Sequence, residues 1–557
     1  MESKWIALSN TSIAIFIAFA NYNMIIIALP EIFNSLKFNP TSPDALGYLI
    51  WLILGYMVVT SSLVVTFGRI SDLKGRAKLY SIGFLVFAIS SGLISAITGY
   101  GNTAVLEMII LRLFQGVGGG LLMVNSAAVL TDYFPKNELG KALGLNQVAG
   151  LVGGVAGLII GGVLSVIDWR YIFLLDFVVG LVGTVWSIKS LRDIQKPVKQ
   201  TLDVIGNVLF AVGITLLLIS VTYGLLPYGS QQLGWGSPYV ISGIILSLVI
   251  LGAFIAVERK VKNPMFDLSL FKIRDFSVAN FSNFIASMAR QGILLMMLVL
   301  LQGIWLPLHG IPYSQTPFWA GLYLIPNMLG FAALGPVSGI LSDKYGSKVL
   351  TTLGLFVSAL GFFLLSLLPY DFQLWQFFAI SFIMGAGMGL FSSPNMADIM
   401  ASVPIQKRGA ASGMRASLQN SASALSVALY FSVVITGMSY TLNSSIDKAL
   451  ASYGVHLSLN LPAAVAIFSA LLGYDPLAGI ASSLPASIAS HIDTPTFFVS
   501  AIAPSFMSGF RLMLNISAVL LVVSGILSLA RKGVRVGEMG NSVERAQKAE
   551  KAPTDGS

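Results

Sequence analysis

The 557-residue chain contains no cysteine, only three histidines and few charges, which make up 10% of it. Without cysteine there is no disulfide framework, thiolate nucleophile or cysteine metal site. His309, His456 and His491 are scattered and show no HExxH spacing, which leaves a membrane metalloenzyme without ligands. No G-x-x-x-x-G-K-[ST] string is present, so a phosphate loop for ATP is excluded. The glycine strings GVGGG and GAGMG lie inside apolar runs rather than after a strand, so a dinucleotide fold fails as well. No organic cofactor or metal is expected.

The shortage of charge excludes most. A soluble protein carries about 25% charged residues. Here hydrophobic types reach 55% and mean hydropathy is +0.81. Lipid must therefore be the solvent for most of the surface. The net charge of +9 sits in short clusters between apolar runs, with no basic domain, so nucleic acid is not the expected partner.

What the chain does have is long apolar runs. A span needs about 20 such residues to cross a hydrocarbon core of about 30 Å. Fourteen candidates lie near 10–30, 45–67, 78–98, 104–130, 143–166, 171–190, 203–225, 237–257, 276–305, 317–340, 348–369, 374–399, 407–438 and 508–530. They are too long for barrel strands and do not alternate apolar with polar, so helices are expected. The first run has one Lys and no clear small-residue cleavage site, and reads as a retained span. With the N-terminus inside, 26 of the 33 Lys and Arg fall on the cytoplasmic side, as the positive-inside rule requires. Both termini are thus expected in the cytoplasm. The segment 441–507 is expected as a long outer loop. Its apolar run Leu461–Gly473 is too short to cross and reads as a hairpin or interfacial piece. The tail at 533–557 is expected to be disordered.

One charged turn is written twice. FGRISDLKGR and SGILSDKYGS align Gly68, Ser71, Asp72 and Gly75 with Gly339, Ser342, Asp343 and Gly346. Each copy follows a span on the cytoplasmic side. Glycine lets helices approach closely, the Asp can pair with Arg or Lys, and the last glycine permits a sharp turn. The pair reads as a breakable latch in each half of a duplicated molecule.

These turns resemble the loop signature of the major facilitator superfamily and its second-half echo. Further pieces follow in that family's order. LRLFQGVGGG resembles the fourth-helix motif, with Arg112 and Gln115 in place; GGVAGLIIGG, holding Gly153, Gly157, Gly161 and Gly162, resembles the glycine-rich fifth-helix motif of antiporters; DWRYIFLLDF follows. Two extra middle spans make the arrangement similar to the fourteen-helix drug:proton antiporter branch. The resemblance implies an all-α integral membrane fold with two pseudo-symmetric six-helix bundles, at 1–195 and 263–532, and two inserted helices at 196–262. It implies alternating access, protons as coupling ion, a small-molecule substrate, a monomer and a prokaryotic plasma membrane. The chain departs from the pattern at three places. Asn21 stands where the branch has a first-helix Asp, Leu158 where the fifth helix has Pro, and Ser347 where the echo would match Arg76.

An ionisable group at the centre of a span costs roughly 2.5–3.5 kcal/mol on translocon scales and tends to face a partner or water. Arg290 lies about midway along the ninth span and reads as a cavity cation or a structural clamp. Asp176, in the sixth span, is the best remaining carboxylate for proton coupling, or else an outer-edge acid paired with Arg170. Arg112 is a family-motif candidate for a cavity or proton-relay role, with Asn21 and Gln115 as polar neighbours. Glu107 reads as an edge charge, and Arg415 as snorkelling to the inner surface. A cavity with Arg112 and Arg290 positive, Asp176 negative and Asn21 neutral should favour neutral or anionic amphipathic compounds over dications. The expected function is proton-coupled efflux. A facilitator or proton symporter, or a transporter-like sensor, are the alternatives.

Overall fold

In a hydrocarbon surrounding, every backbone amide must find its partner within the chain, and a helix does this segment by segment. The computed structural model describes residues 3–38, 45–194, 203–229, 231–261, 264, 266–404, 407–455, 461–477, 489, 491–492 and 494–531. The expected tail at 533–557 lies outside the described residues. Among them, fourteen helices are long and apolar enough to cross a membrane.

The first six are α1 (Ser3–Ser35), α2 (Ala45–Lys74), α3 (Arg76–Ser95), α4 (Gly101–Tyr133), α5 (Lys136–Asp168) and α6 (Arg170–Ser190). They pack as one bundle: α1 lies along α5, α2 and α3 flank α4, and α3 lies on α6. The inserted pair is α7 (Val204–Tyr223) and α8 (Pro238–Glu258), which lie against each other while α7 touches α2. The ninth crossing starts as α9 (Arg274–Val299) and continues through a π-helical segment, Leu300–Trp305, to Leu308. The tenth breaks at Leu324 into α10 (Thr316–Tyr323) and α11 (Ile325–Tyr345). Then follow α12 (Ser347–Ser366), α13 (Leu374–Ala401), α14 (Arg408–Ser439), α15 (Leu442–Ala451), α16 (Ala463–Leu472) and α17 (Pro495–Leu529). In the second bundle α13 lies between α11 and α12, while α9, α14 and α17 pack on one another. The expected fold class is the observed one.

Two expectations about the 441–507 segment are corrected. The last spanning helix begins at Pro495 rather than near 508, because Thr494 caps it, accepting from the Phe497 amide at 3.3 Å, and Pro495 suits its first turn. The apolar run after Leu461 is neither hairpin nor interfacial. It is the helix α16, and nine of its ten residues are buried.

With fourteen crossings, the start of α1 and the end of α17 share one face, the chain-end face. Lys4 at the start of α1 pairs with Glu138 at the start of α5, 3.0 Å apart. On the opposite face the bundles meet closely. A β-carbon on Gly162 of α5 would lie 2.8 Å from the Phe318 Cα, and one on Gly321 2.8 Å from the Leu158 carbonyl oxygen. The Gln302 amide donates to the Ile27 carbonyl across the same seam at 3.2 Å. Toward the chain-end face, Leu145 and Val148 of α5 and Val337 and Ile340 of α11 are exposed.

Candidate functional site

The first bundle buries a chain of polar side chains from five helices. Asn21 (α1) donates from Nδ2 to Asp176 Oδ2 (α6) at 2.5 Å. Its Oδ1 accepts from the Arg112 guanidinium (α4) at 2.7 Å. The same guanidinium nitrogen donates to Gln115 Oε1 at 2.5 Å, and Gln115 Nε2 donates to Ser91 Oγ (α3) at 2.7 Å. Below them the Arg112 guanidinium lies 4.7 Å from the centre of the Tyr56 ring on α2. Asp176, Asn21 and Gln115 are fully buried and Arg112 is 1% exposed. Four of the sequence candidates therefore form one network.

Asn21 is what makes the network possible. An amide offers one donor and one acceptor group, so it can join a carboxylate to a guanidinium. A carboxylate at that place would offer Asp176 no donor and set two acids side by side. The missing acid of the first helix and the acid at Asp176 belong to one arrangement. Asp176 does not pair with Arg170, which lies 3.6 Å from Asp168 and donates to the Ile97 carbonyl. Three atoms of the network lack partners, Asp176 Oδ1, Arg112 Nε and the Tyr56 hydroxyl. A buried carboxylate oxygen without a partner is a place where a proton can be taken up without breaking a bond. Ser91 and Tyr56 were not legible as members, since neither carries a charge or motif position.

Arg290 belongs to the second bundle and stands apart. Among the described residues it makes no hydrogen bond or ion pair, and its guanidinium lies 5.9 Å from the centre of the Phe331 ring. It lines a small recess with Asn327, Met328, Phe331, Phe362 and Met388. The walls are apolar and aromatic, and the Asn327 amide is already engaged, donating to the Ser381 carbonyl. A free cation beside rings and thioethers suits an aromatic body carrying an acceptor or negative group.

The twin turns differ in chemistry. Gly75 and Gly346 both have positive φ, 106° and 85°, which a residue with a β-carbon rarely adopts. A β-carbon on Gly68 would lie 3.2 Å from Val124 Cγ1, and one on Gly339 2.9 Å from Ser393 Oγ, so both turns hold helices close. In the first, Arg76 binds Asp72 at 2.8 Å and Asp132 (α4) at 2.6 Å. Asp193, after α6, accepts from the Ala77 amide at 2.8 Å. These latch contacts join helices within the first bundle. In the second, Ser347 donates to Asp398 on α13. The cation comes from elsewhere: Arg531, just past α17, donates to Asn395 at 2.6 Å and reaches Asp398 at 3.5 Å. Arg531 is 2% exposed, although its sequence neighbours read as a solvated basic tail. The Asp343 side chain lies outside the described residues. Arg415 does not reach back toward the surface; it donates to Gln419 one turn on at 2.7 Å.

The fifth-helix glycines divide between two neighbours. β-Carbons on Gly153, Gly157 and Gly161 would strike the α1 backbone at Phe16, Ala20 and Met24, with Gly157 at 2.5 Å from the Ala20 oxygen. Gly162 instead faces α10, as above. Leu158, in place of proline, keeps its amide and offers its carbonyl to the same contact.

Comparison with known proteins agrees with this architecture. The family model described as Major Facilitator Superfamily matches residues 11–257 and again 205–427. The riboflavin transporter RibZ of Clostridioides difficile is 29% identical over 79% of this chain and 90% of its own. The multidrug transporter protein MdtP of Bacillus subtilis is 25% identical over 99% and 98%. The multidrug resistance protein Stp of Mycobacterium tuberculosis is 25% identical over 94% and 91%. Among solved structures, an inward-facing bacterial homolog of the human lysosomal transporter Spinster superposes with TM-score 0.57 at 13% identity, covering 95% of this chain and 98% of that one. A POT family peptide transporter gives 0.58 at 12% identity, covering 96% and 98%.

Proposed function

The chain belongs to the Major Facilitator Superfamily, and from that premise we propose that this transporter exports neutral or anionic aromatic amphiphiles in exchange for protons. The bundles at 1–195 and 263–532 rock about a site near the midplane. A monomer in the plasma membrane, termini in the cytoplasm, would then be open toward the cytoplasm in the described state, since the bundles meet on the opposite face. Asp176 takes up and releases the proton. Protonation removes the charge that holds Asn21, and so loosens the link from α6 through α1 to Arg112 on α4. Arg290 receives the acceptor or anionic group of the substrate, with Phe331 and the methionines against its ring system.

The observation that carries the reading is the separation of charges. The only acid of the network accepts from Asn21, which links it to Arg112 in the first bundle, and the free arginine sits in the recess of the second. The test uses inverted vesicles, with riboflavin as neutral probe, fluorescein as anion and a bis-quaternary ammonium dye as dication. Proton-driven accumulation of either of the first two, reduced by Asp176→Asn and by Arg290→Ala, is the expected result. Accumulation of the dication that survives Arg290→Ala would overturn the specificity claim. The likeness to a riboflavin transporter favours a second reading, uptake of a flavin-like solute through the same recess. Comparing right-side-out with inverted vesicles separates the two.

A further inference from the structure

The helix α16 is ten residues long, about 15 Å at 1.5 Å per residue, and cannot cross a bilayer. A short helix resting at a membrane surface keeps one face toward water or lipid headgroups. This one does not: Ala463, Ala464, Ala466, Ser469, Ala470 and Leu471 are each at most 1% exposed. It is wedged between the bundles on the face away from the chain ends, against α1 and α2 on one side and α14, α17 and the π-helical segment of the ninth crossing on the other.

The seat is specific. A β-carbon on Gly303, within the π segment, would lie 3.3 Å from the Leu471 amide nitrogen, so the backbones of α16 and the π segment approach closely there. Such π segments recur at functional sites. Phe468 stacks on Phe431 of α14 at 5.2 Å. The helix is tied at its start by Gln232, which accepts from the Ala463 amide at 2.9 Å. Yet the seat is poor in polar partners. Ser469 Oγ and Gln302 Oε1 are buried without one, and a buried unpaired group favours a state in which it finds water.

We infer that α16 is a plug that seals the face opposite the chain ends, and that it must leave its seat for the site to open there. This rests on the transport reading above. A helix that touches both bundles at once cannot stay in place while they separate. The runner-up is a fixed strut, moving with one bundle only.

The absence of native cysteine allows a direct test. The pair Gly303→Cys and Leu471→Cys ties the plug to its seat when oxidised. In its reduced form the pair should move riboflavin and fluorescein as the parent does. Oxidation, with complete cross-linking checked by mass, should lower transport at least tenfold, restored by reductant, while riboflavin binding in detergent stays within twofold. Unchanged transport after complete cross-linking would overturn the plug, and so would loss of binding, which would mean that the bridge merely deforms the site. Should the pair not fold, Leu471→Cys alone serves. Its labelling by a membrane-impermeant maleimide should quicken at least threefold under turnover with a proton gradient, and equal rates would overturn the proposal. A parent that moves neither probe would count against the transport reading instead.

Discussion

The two bundles carry related turns on a related plan, but they place their charges in opposite ways. In the first, the membrane-buried charges satisfy one another, through Asn21, Arg112 and Asp176, while the latch at its chain-end face is half open to water, with Arg76 24% exposed. In the second, the half-buried Arg290 is left free beside a recess, while the chain-end cluster of Arg531, Asp398 and Asn395 is sealed. The latch positions even trade charge. The start of α3 supplies a cation and the segment after α6 an acid, whereas the start of α12 supplies a hydroxyl and the end of the last helix the cation. A duplicated fold keeps its helix contacts because glycine and turn geometry impose them. The charges are free to migrate so long as each buried one finds a partner.

The comparison breaks most sharply at the two latches. Arg531→Ala leaves Asp398 buried with a hydroxyl as its remaining named donor, and removing one member of a buried pair costs about 3–5 kcal/mol. Arg76→Ala removes two ion pairs made by a partly exposed guanidinium, and about 1 kcal/mol is expected. Thermal unfolding in detergent should rank them in that order. An Arg76 variant as unstable as the Arg531 variant would show that burial does not distinguish the halves.

Inside the membrane the expected effects are on transport. Asp176→Asn keeps the shape of the network but removes the proton acceptor, and proton-driven accumulation should fall by about 100-fold, the scale of losing a proton-transfer group. Exchange of substrate without a proton gradient should survive. Arg290→Ala should leave proton coupling intact and weaken the apparent affinity for fluorescein by about tenfold, as for one hydrogen bond to a charged group. Riboflavin should lose less. If both variants instead changed coupling alike, the division between a proton bundle and a substrate bundle would be wrong.

Most of the fold was legible, because a span announces itself in about 20 apolar residues and Lys and Arg mark one face. The turns were legible because Gly75 and Gly346 must adopt positive φ. The candidate site was legible only as a set of names. That Asn21 touches both Asp176 and Arg112 depends on residues 91 and 155 positions apart, and no local pattern reports it. The part played by Arg531 was not legible for a similar reason: it lies beside Lys532 past the last apolar run, and its partners on α13 lie far back in the chain. The α16 helix escaped because ten apolar residues followed by Asp475 and Pro476 look the same whether they rest on a surface or fill a seam.

The smallest effect concerns the link between the inserted helices and the second bundle. Lys407, at the start of α14, pairs with Asp267 in the segment before α9 at 2.7 Å. Burial pushes the Asp267 carboxyl up, but hydrogen bonds from Lys407 and Ser269, with the Lys407 charge, outweigh it and hold the group below its ordinary value. A carboxyl depressed in the folded state adds stability that is present above the unfolded pKa of about 3.9 and is lost as pH falls through the folded value. The pair is exposed on the lysine side, so about 0.2–1 kcal/mol is expected. Asp267→Asn should therefore lower the melting temperature slightly at pH 7, and the difference from the parent should shrink as pH drops below the carboxylate range. A difference that persisted at low pH would assign the loss to packing, and would leave the Lys407 contact without a part in joining the inserted helices to the bundle they precede.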